Sequence, residues 1–164
     1  MPPAARVTDP VAHPLPPMLT PGPGSPNVMI GFLPAWRGIP LAAVAALQAA
    51  KGAADAAIQE AEAATAAAAG TPGAPAAYAA EQATKASVLA SMSSAISAAS
   101  AGADIHACTT PLPVPPHGPG VDIKGSATVM INNLPAGRQG DTILEAAGPS
   151  NSIAMGCVTV IIGG

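Results

Sequence analysis

A chain of 164 residues is one ordinary domain, or a small domain carrying an insertion. A formal charge of −3 with 9% charged residues leaves no electrostatic footprint for nucleic acid or an anionic membrane, and one Phe, one Trp and one Tyr leave out the aromatic anchors of a usual core. Alanine is concentrated between residues 42 and 101 while proline and glycine lie mostly outside that window, so two compositions imply two architectures.

Residues 1–24 hold Pro2, Pro3, Pro10, Pro14, Pro16, Pro17, Pro21 and Pro23, which excludes helix and leaves extended or turn backbone. No basic region followed by an apolar run opens the chain, so the expectation is cytoplasmic synthesis without a signal peptide. Val28 to Ile30 and Leu33 to Arg37 then read as a β-hairpin turning at Gly31-Phe32.

From Leu41 to Ala69 and from Pro75 to Ala101 the text is alanine with scattered Gln, Glu, Lys and Ser, all good helix formers. The turn signals of Gly70-Thr-Pro-Gly-Ala-Pro75 join the two into a helical hairpin. Leu41, Val44, Leu47 or Gln48, Lys51, Asp55, Ile58 and Glu62 recur at spacings near three and four on the first arm, as Tyr78, Val88, Leu89, Met92 and Ile96 do less regularly on the second, and the larger apolar residues among them supply a thin seam flanked by alanine. Lys51, Asp55, Glu60, Glu62, Glu81 and Lys85 would be costly in a bilayer core, so a soluble antiparallel hairpin without stable membrane insertion is expected.

After the arms, Asp104 to Gly120 resumes the proline-rich style, and short β-branched runs follow at 121–124, 127–131, 135–139, 142–144, 153–155 and 158–162. Residues 1–40 and 103–164 therefore read as one β-domain interrupted by the hairpin at 41–102. Within it the sequence repeats itself. Ser25-Pro-Asn-Val-Met-Ile-Gly-Phe-Leu-Pro-Ala-Trp-Arg37 agrees with Ser126 to Arg138 at eight positions of thirteen. A truncated copy closes the chain as Cys157-Val-Thr-Val-Ile-Ile-Gly163, and Pro3-Ala-Ala-Arg6 followed by Asp9 opens it as a fragment. Repeated short units need their neighbours to bury an apolar face. Asp9, Asp104 and Asp141 recur with the repeat, which points to turn-forming or backbone-capping roles.

His13, His106 and His117 all lie in the proline-rich loops, Cys108 beside them and Cys157 at the start of a repeat strand. In a reducing compartment, two cysteines beside histidines suit metal or thiol chemistry better than a disulfide. Zn²⁺ takes His and Cys ligands and could staple a small β-domain poor in aromatics; solvated loop histidines and a buried thiol are the plain alternative. If the hairpins wrap one axis, the loops after each Asp converge and gather His13, His106, Cys108, His117 and Cys157. No serine sits in a nucleophile elbow and no phosphate loop follows a strand, so an enzyme is not expected, a small zinc hydrolase being the one enzymatic alternative.

Pro3-Ala-Ala-Arg6, its echoes Pro34-Ala-Trp-Arg37 and Pro135-Ala-Gly-Arg138, and the Gly125 to Asn132 and Cys157 to Gly163 stretches make residues 1–40 and 103–164 resemble the PAAR-repeat proteins, the tip proteins of type VI secretion and related contractile injection systems. The resemblance implies a mainly β, conical, pseudo-threefold hairpin domain with the helical hairpin inserted. It also implies a zinc near the apex held by three His and one Cys, which carried onto this chain are His13, His106, His117 and Cys157, with Cys108 as the alternative thiolate. The implied role is a structural tip, a monomer on its own, that caps the blunt end of a trimeric valine-glycine-rich spike and is exported with it. Trp36 stands for the usual small residue, and the second copy lacks the following Gly-Asp where the insertion begins. The helical arms are outside the resemblance and are expected to engage cargo or spike, or to serve as an effector or chaperone docking hairpin. Any effector is expected on a separate chain.

Overall fold

A computed structural model describes residues 1–12, 18–108 and 117–164. The chain is mixed α and β rather than mainly β: helices α1 (Leu41–Ala68) and α2 (Ala74–Ser100) form an antiparallel hairpin, and the described strands, none longer than five residues, pair in antiparallel sheets. Alanine explains the helices, and Pro75 in the first turn of α2 with Gly70 at φ 76° explains the sharp break between them. Lys85 of α2 ties the arms by meeting Glu81 at 2.6 Å and Glu62 of α1 at 2.7 Å. The expected seam is only partly used: Leu47, Met92 and Ile96 are buried, whereas Leu41 and Tyr78 point to solvent.

Five strands form the main sheet in the order β10 (Asn151–Ser152), β9 (Thr142–Glu145), β6 (Gly118–Asp122), β5 (Ile105–Cys108) and β2 (Pro21–Gly22). Side chains alternate across it. The row Ile105, Val121 and Leu144 joins Ile39, Leu47, Met92, Ile96 and Ala146 in one apolar core, so the helical hairpin covers this face. The row His106, Gly120 and Glu145 lies on the other face, where Ile143 packs with Ala5, Val11, Leu19, Trp36 and Ile153.

The repeated sequence makes repeated structure. Hairpin β3 (Met29–Ile30)–β4 (Leu33–Pro34) turns at Gly31-Phe32, and hairpin β7 (Met130–Ile131)–β8 (Leu134–Pro135) at Asn132-Asn133, all four turn residues having φ between 53° and 68°. Glycine and asparagine meet that demand easily; Phe32 does not, and it stands 96% exposed. The two fragments at the chain ends prove to be halves of one unit. Strand β1 (Pro3–Ala4) pairs with β11 (Cys157–Ile161), and Pro3 faces Ile161 as Pro34 faces Met29 and Pro135 faces Met130.

Candidate functional site

The three Pro-Ala-x-Arg segments close on one another through backbone hydrogen bonds. Ala5 N–H donates to Gly137 O, Gly137 N–H to Trp36 O, and Trp36 N–H to Ala5 O, each at 2.9 Å. Each segment thus gives to one neighbour and takes from the other, a three-membered ring with no open end. The bridges Ala4–Arg138, Arg6–Ala35 and Arg37–Ala136 repeat the same cycle.

Each unit is then locked by one Arg–Asp pair. Arg6 N–H donates to Asp9 Oδ2, Arg37 N–H to Asp104 Oδ2 and Arg138 N–H to Asp141 Oδ2, all at 2.7 Å, while each guanidinium reaches the same carboxylate. Capping and ion pairing coincide in one side chain, which accounts for an Asp at this repeat position. Asp104 restores the second unit although the whole hairpin separates it from Arg37. It is 0% exposed and also accepts Gly24 N–H at 2.7 Å.

Ala4, Ile30, Ala35, Ile131, Ala136, Cys157 and Ile162, drawn from all three units, form a compact apolar cluster. Met29, Met130 and Ile161 sit at equivalent positions of the three hairpins, each about half exposed (56, 51 and 47%). Ser25 and Asn27 of one hairpin reach Asn132 of the next at 2.6 and 2.8 Å, fixing their mutual positions.

Repeat alignment also explains Cys157. Ser25 Oγ accepts Val28 N–H and Ser126 Oγ accepts Val129 N–H, both at 3.0 Å, and Cys157 holds the same place in the third unit. Its sulfur lies 3.3 Å from the Thr159 hydroxyl, which holds the thiol below its ordinary value, with Arg6 adding to the effect. Laying Cys157 under Ser25 and Ser126 in the sequence would have revealed this capping position.

The other donors lie elsewhere. His106 and Cys108 alternate onto the same buried face of β5, and His117 directly precedes Gly118, the β6 residue that pairs with Cys108. The His117 carbonyl accepts Ala147 N–H at 2.9 Å, and a side chain at Gly148 would fall 2.9 Å from its ring. His13 lies outside the described residues. Among the described residues no three His, Cys, Asp or Glu side chains are grouped to hold a metal. His106 and Cys108 on β5 and His117 just ahead of β6 are each at most 8% exposed, and two imidazoles and a thiol are ligand types that a borderline-soft cation takes. Cys157 sits in the hairpin cluster instead.

Sequence reasoning passed over two buried carboxylates. Burial pushes Glu145 up to about 7, against the hydrogen bond from Asn151, and burial together with the charge of Asp141 pushes Asp122 up to about 8. Asp122 was legible only as a strand residue, because nothing in a single sequence marks which alternation faces inward.

Comparisons with protein-family models, with curated proteins and with solved structures find no match to this chain.

Proposed function

We propose that this protein is the tip of a contractile injection spike, a tapering plug seated on the blunt end of a trimeric β-helical partner. The observation that carries the reading is the closed ring of three Pro-Ala-x-Arg segments, which gives one polypeptide an approximately threefold face. A trimer presents three equivalent strand ends and an apolar interior. Met29, Met130 and Ile161, displayed at three equivalent hairpin positions, match such a partner in symmetry and polarity. The role is structural, with synthesis in the cytoplasm and export on the spike.

The metal of this reading is Zn²⁺, held by His13, His106, His117 and Cys108. Cys108 is preferred over Cys157 because it shares a buried strand face with His106, whereas Cys157 occupies a serine-like capping position. A closed four-ligand site would staple loops that have no core of their own.

The helical hairpin favours a second role on the same chain. Of its 55 helical residues only Leu47, Lys51, Glu81, Lys85, Met92, Ile96 and Ser100 are buried, leaving long alanine-rich surfaces open for cargo or a chaperone. By length and composition α1 could also cross a bilayer; its charged residues support docking in water instead.

Co-purification with a trimeric β-helical spike tests the reading. Wild type is expected to bind one copy per trimer, and the combined Met29→Asp, Met130→Asp and Ile161→Asp variant to remain folded and fail to bind. Undiminished binding by that variant, or no binding by wild type, overturns it.

A further inference from the structure

We propose that Phe32 anchors the spike-binding surface, a single aromatic side chain that enters one of three equivalent apolar pockets of the trimeric partner. The inference rests on the spike-tip reading above and names the residue that fixes how the tip is seated.

The repeat defines the position. Met29, Met130 and Ile161 hold equivalent places, and the third residue on from each is Phe32, Asn133 and Gly164. Backbone φ is positive at all three, 68°, 63° and 95°. A residue with a Cβ is strained there; glycine escapes the clash and asparagine tolerates it. Phenylalanine does neither, so the first unit carries a bulky side chain where the other two carry the residues that such a backbone prefers. The isolated fold gains nothing in return, because the phenyl ring stands 96% exposed. One exposed apolar side chain is ordinary on a protein surface. An exposed aromatic held in a disfavoured backbone conformation is not, and its use lies outside the chain.

The surroundings fit a protein partner. From Ser25 to Trp36, from Ser126 to Gly137 and from Cys157 to Gly164 the three hairpin segments contain no charged residue. Absence of charge around an aromatic anchor is the pattern at the centre of a protein interface. The platform under the ring is also fixed. A Cβ at Gly31 would lie 3.0 Å from Arg6 Nη1 and 3.1 Å from Cys157 Sγ, so the turn is pressed against the third unit, while Asn132 ties the first hairpin to the second through Ser25 and Asn27. A ring carried on a fixed turn loses little freedom when it is buried, which favours a tight contact. A threefold partner offers the same pocket three times. Phe32 fills one of them, and the other two meet Asn133 and Gly164.

The test uses the full chain and a purified trimeric β-helical spike as probe, with affinity read by biolayer interferometry and stability by thermal melting. F32N and F32G introduce the residue types of the other two units. Both are expected to raise the melting temperature of the free protein by about 2–4 °C and to weaken spike binding about 30-fold or more. F32N combined with N133F moves the ring to the second hairpin, where position 133 is exposed, and is expected to recover most of the lost affinity because the trimer presents the same pocket there. A residue that acts only on the fold gives no such recovery. Wild-type affinity in both single variants, or no recovery in the combined one, would overturn the anchor and leave the spike reading standing. A lower melting temperature in both single variants would make Phe32 a structural residue and overturn it too. Wild type that self-associates in analytical ultracentrifugation while F32N stays monomeric would place a second copy of this chain on the surface, against the proposal. Wild type that does not bind the spike overturns the spike-tip reading and this inference with it.

Discussion

Replacing Asp122 by Asn should raise stability at neutral pH and leave it nearly unchanged at pH 4. Asp122 is 0% exposed, accepts Lys124 N–H on Oδ1 at 2.8 Å, and keeps Oδ2 without a hydrogen-bond partner among the described residues. Gly38 and Gly137 press their backbones against it so closely that a Cβ at either would lie 3.3 or 3.1 Å from Oδ2. Burial and the nearby Asp141 raise its pKa from 3.8 to about 8, against the pull of Lys124 N–H, Arg138 and Gly125 N–H. A folded value above the unfolded one means that the fold favours the protonated acid. Full stability is therefore present below the ordinary value of 3.8, declines as pH rises, and levels off above about 8. Each pH unit in that window costs up to about 1.4 kcal/mol, so by pH 7 the decline approaches roughly 4 kcal/mol, a ceiling that relaxation and water entry reduce. Asparagine keeps the acceptor for Lys124 N–H and has no charge to bury. Urea unfolding followed by helical circular dichroism at pH 4, 5.5, 7 and 8 measures the difference, and contributions from Glu145, common to both proteins, largely cancel. Parallel pH dependence of the two proteins, or a less stable D122N at pH 7, would refute the reasoning.

The Arg–Asp pairs should differ in cost according to burial. Arg37→Ala strands Asp104 at 0% exposure and is expected to destabilise by about 3–5 kcal/mol, whereas Arg6→Ala, whose side chain is 20% exposed, should cost distinctly less by the same chemical denaturation. Excising 41–102 with a short linker should yield an aggregating protein, because the excision uncovers Ile39, Val121 and Leu144. Static light scattering checks this, and polar replacements at those three positions should restore solubility.

The sequence made the repeat visible because its unit is short and its demands are local. Positive φ at a two-residue turn selects Gly or Asn, as at Gly31, Asn132 and Asn133, and an apolar residue must stand beside each turn. The helices were legible from alanine alone, to within a residue or two at each end. Three things were not. Which end fragments complete one another depends on closure in space, since Pro3 and Ile161 lie at opposite ends of the chain and still pair. The larger side chains of the hairpin were expected to form a seam between the arms, but Leu47, Met92 and Ile96 join the core beneath the sheet, leaving Leu41 and Tyr78 exposed. The row of His106, Gly120 and Glu145 requires strand register, which no periodicity supplies. Among the expected ligands, His106 lies on β5, His117 just ahead of β6, Cys157 in the hairpin cluster, and His13 outside the described residues.

The position of the insertion follows from the same geometry. In the first and third units the Asp lies three residues after its Arg, and a turn closes the pair. In the second, 66 residues intervene between Arg37 and Asp104, yet the Arg N–H to Oδ2 distance is the same 2.7 Å. A flexible loop of that length would add only a logarithmic closure cost, and the antiparallel hairpin lowers it further by returning the chain to where it left. Ile39 N–H bonds Asp122 O at 2.9 Å just before the departure, and Asp104 N–H bonds Arg37 O at 3.1 Å just after the return. The ring therefore constrains only where the chain leaves and where it comes back. Between those two points the sequence was free to acquire a helical pair, and burying the outer sheet face then made that pair part of the core.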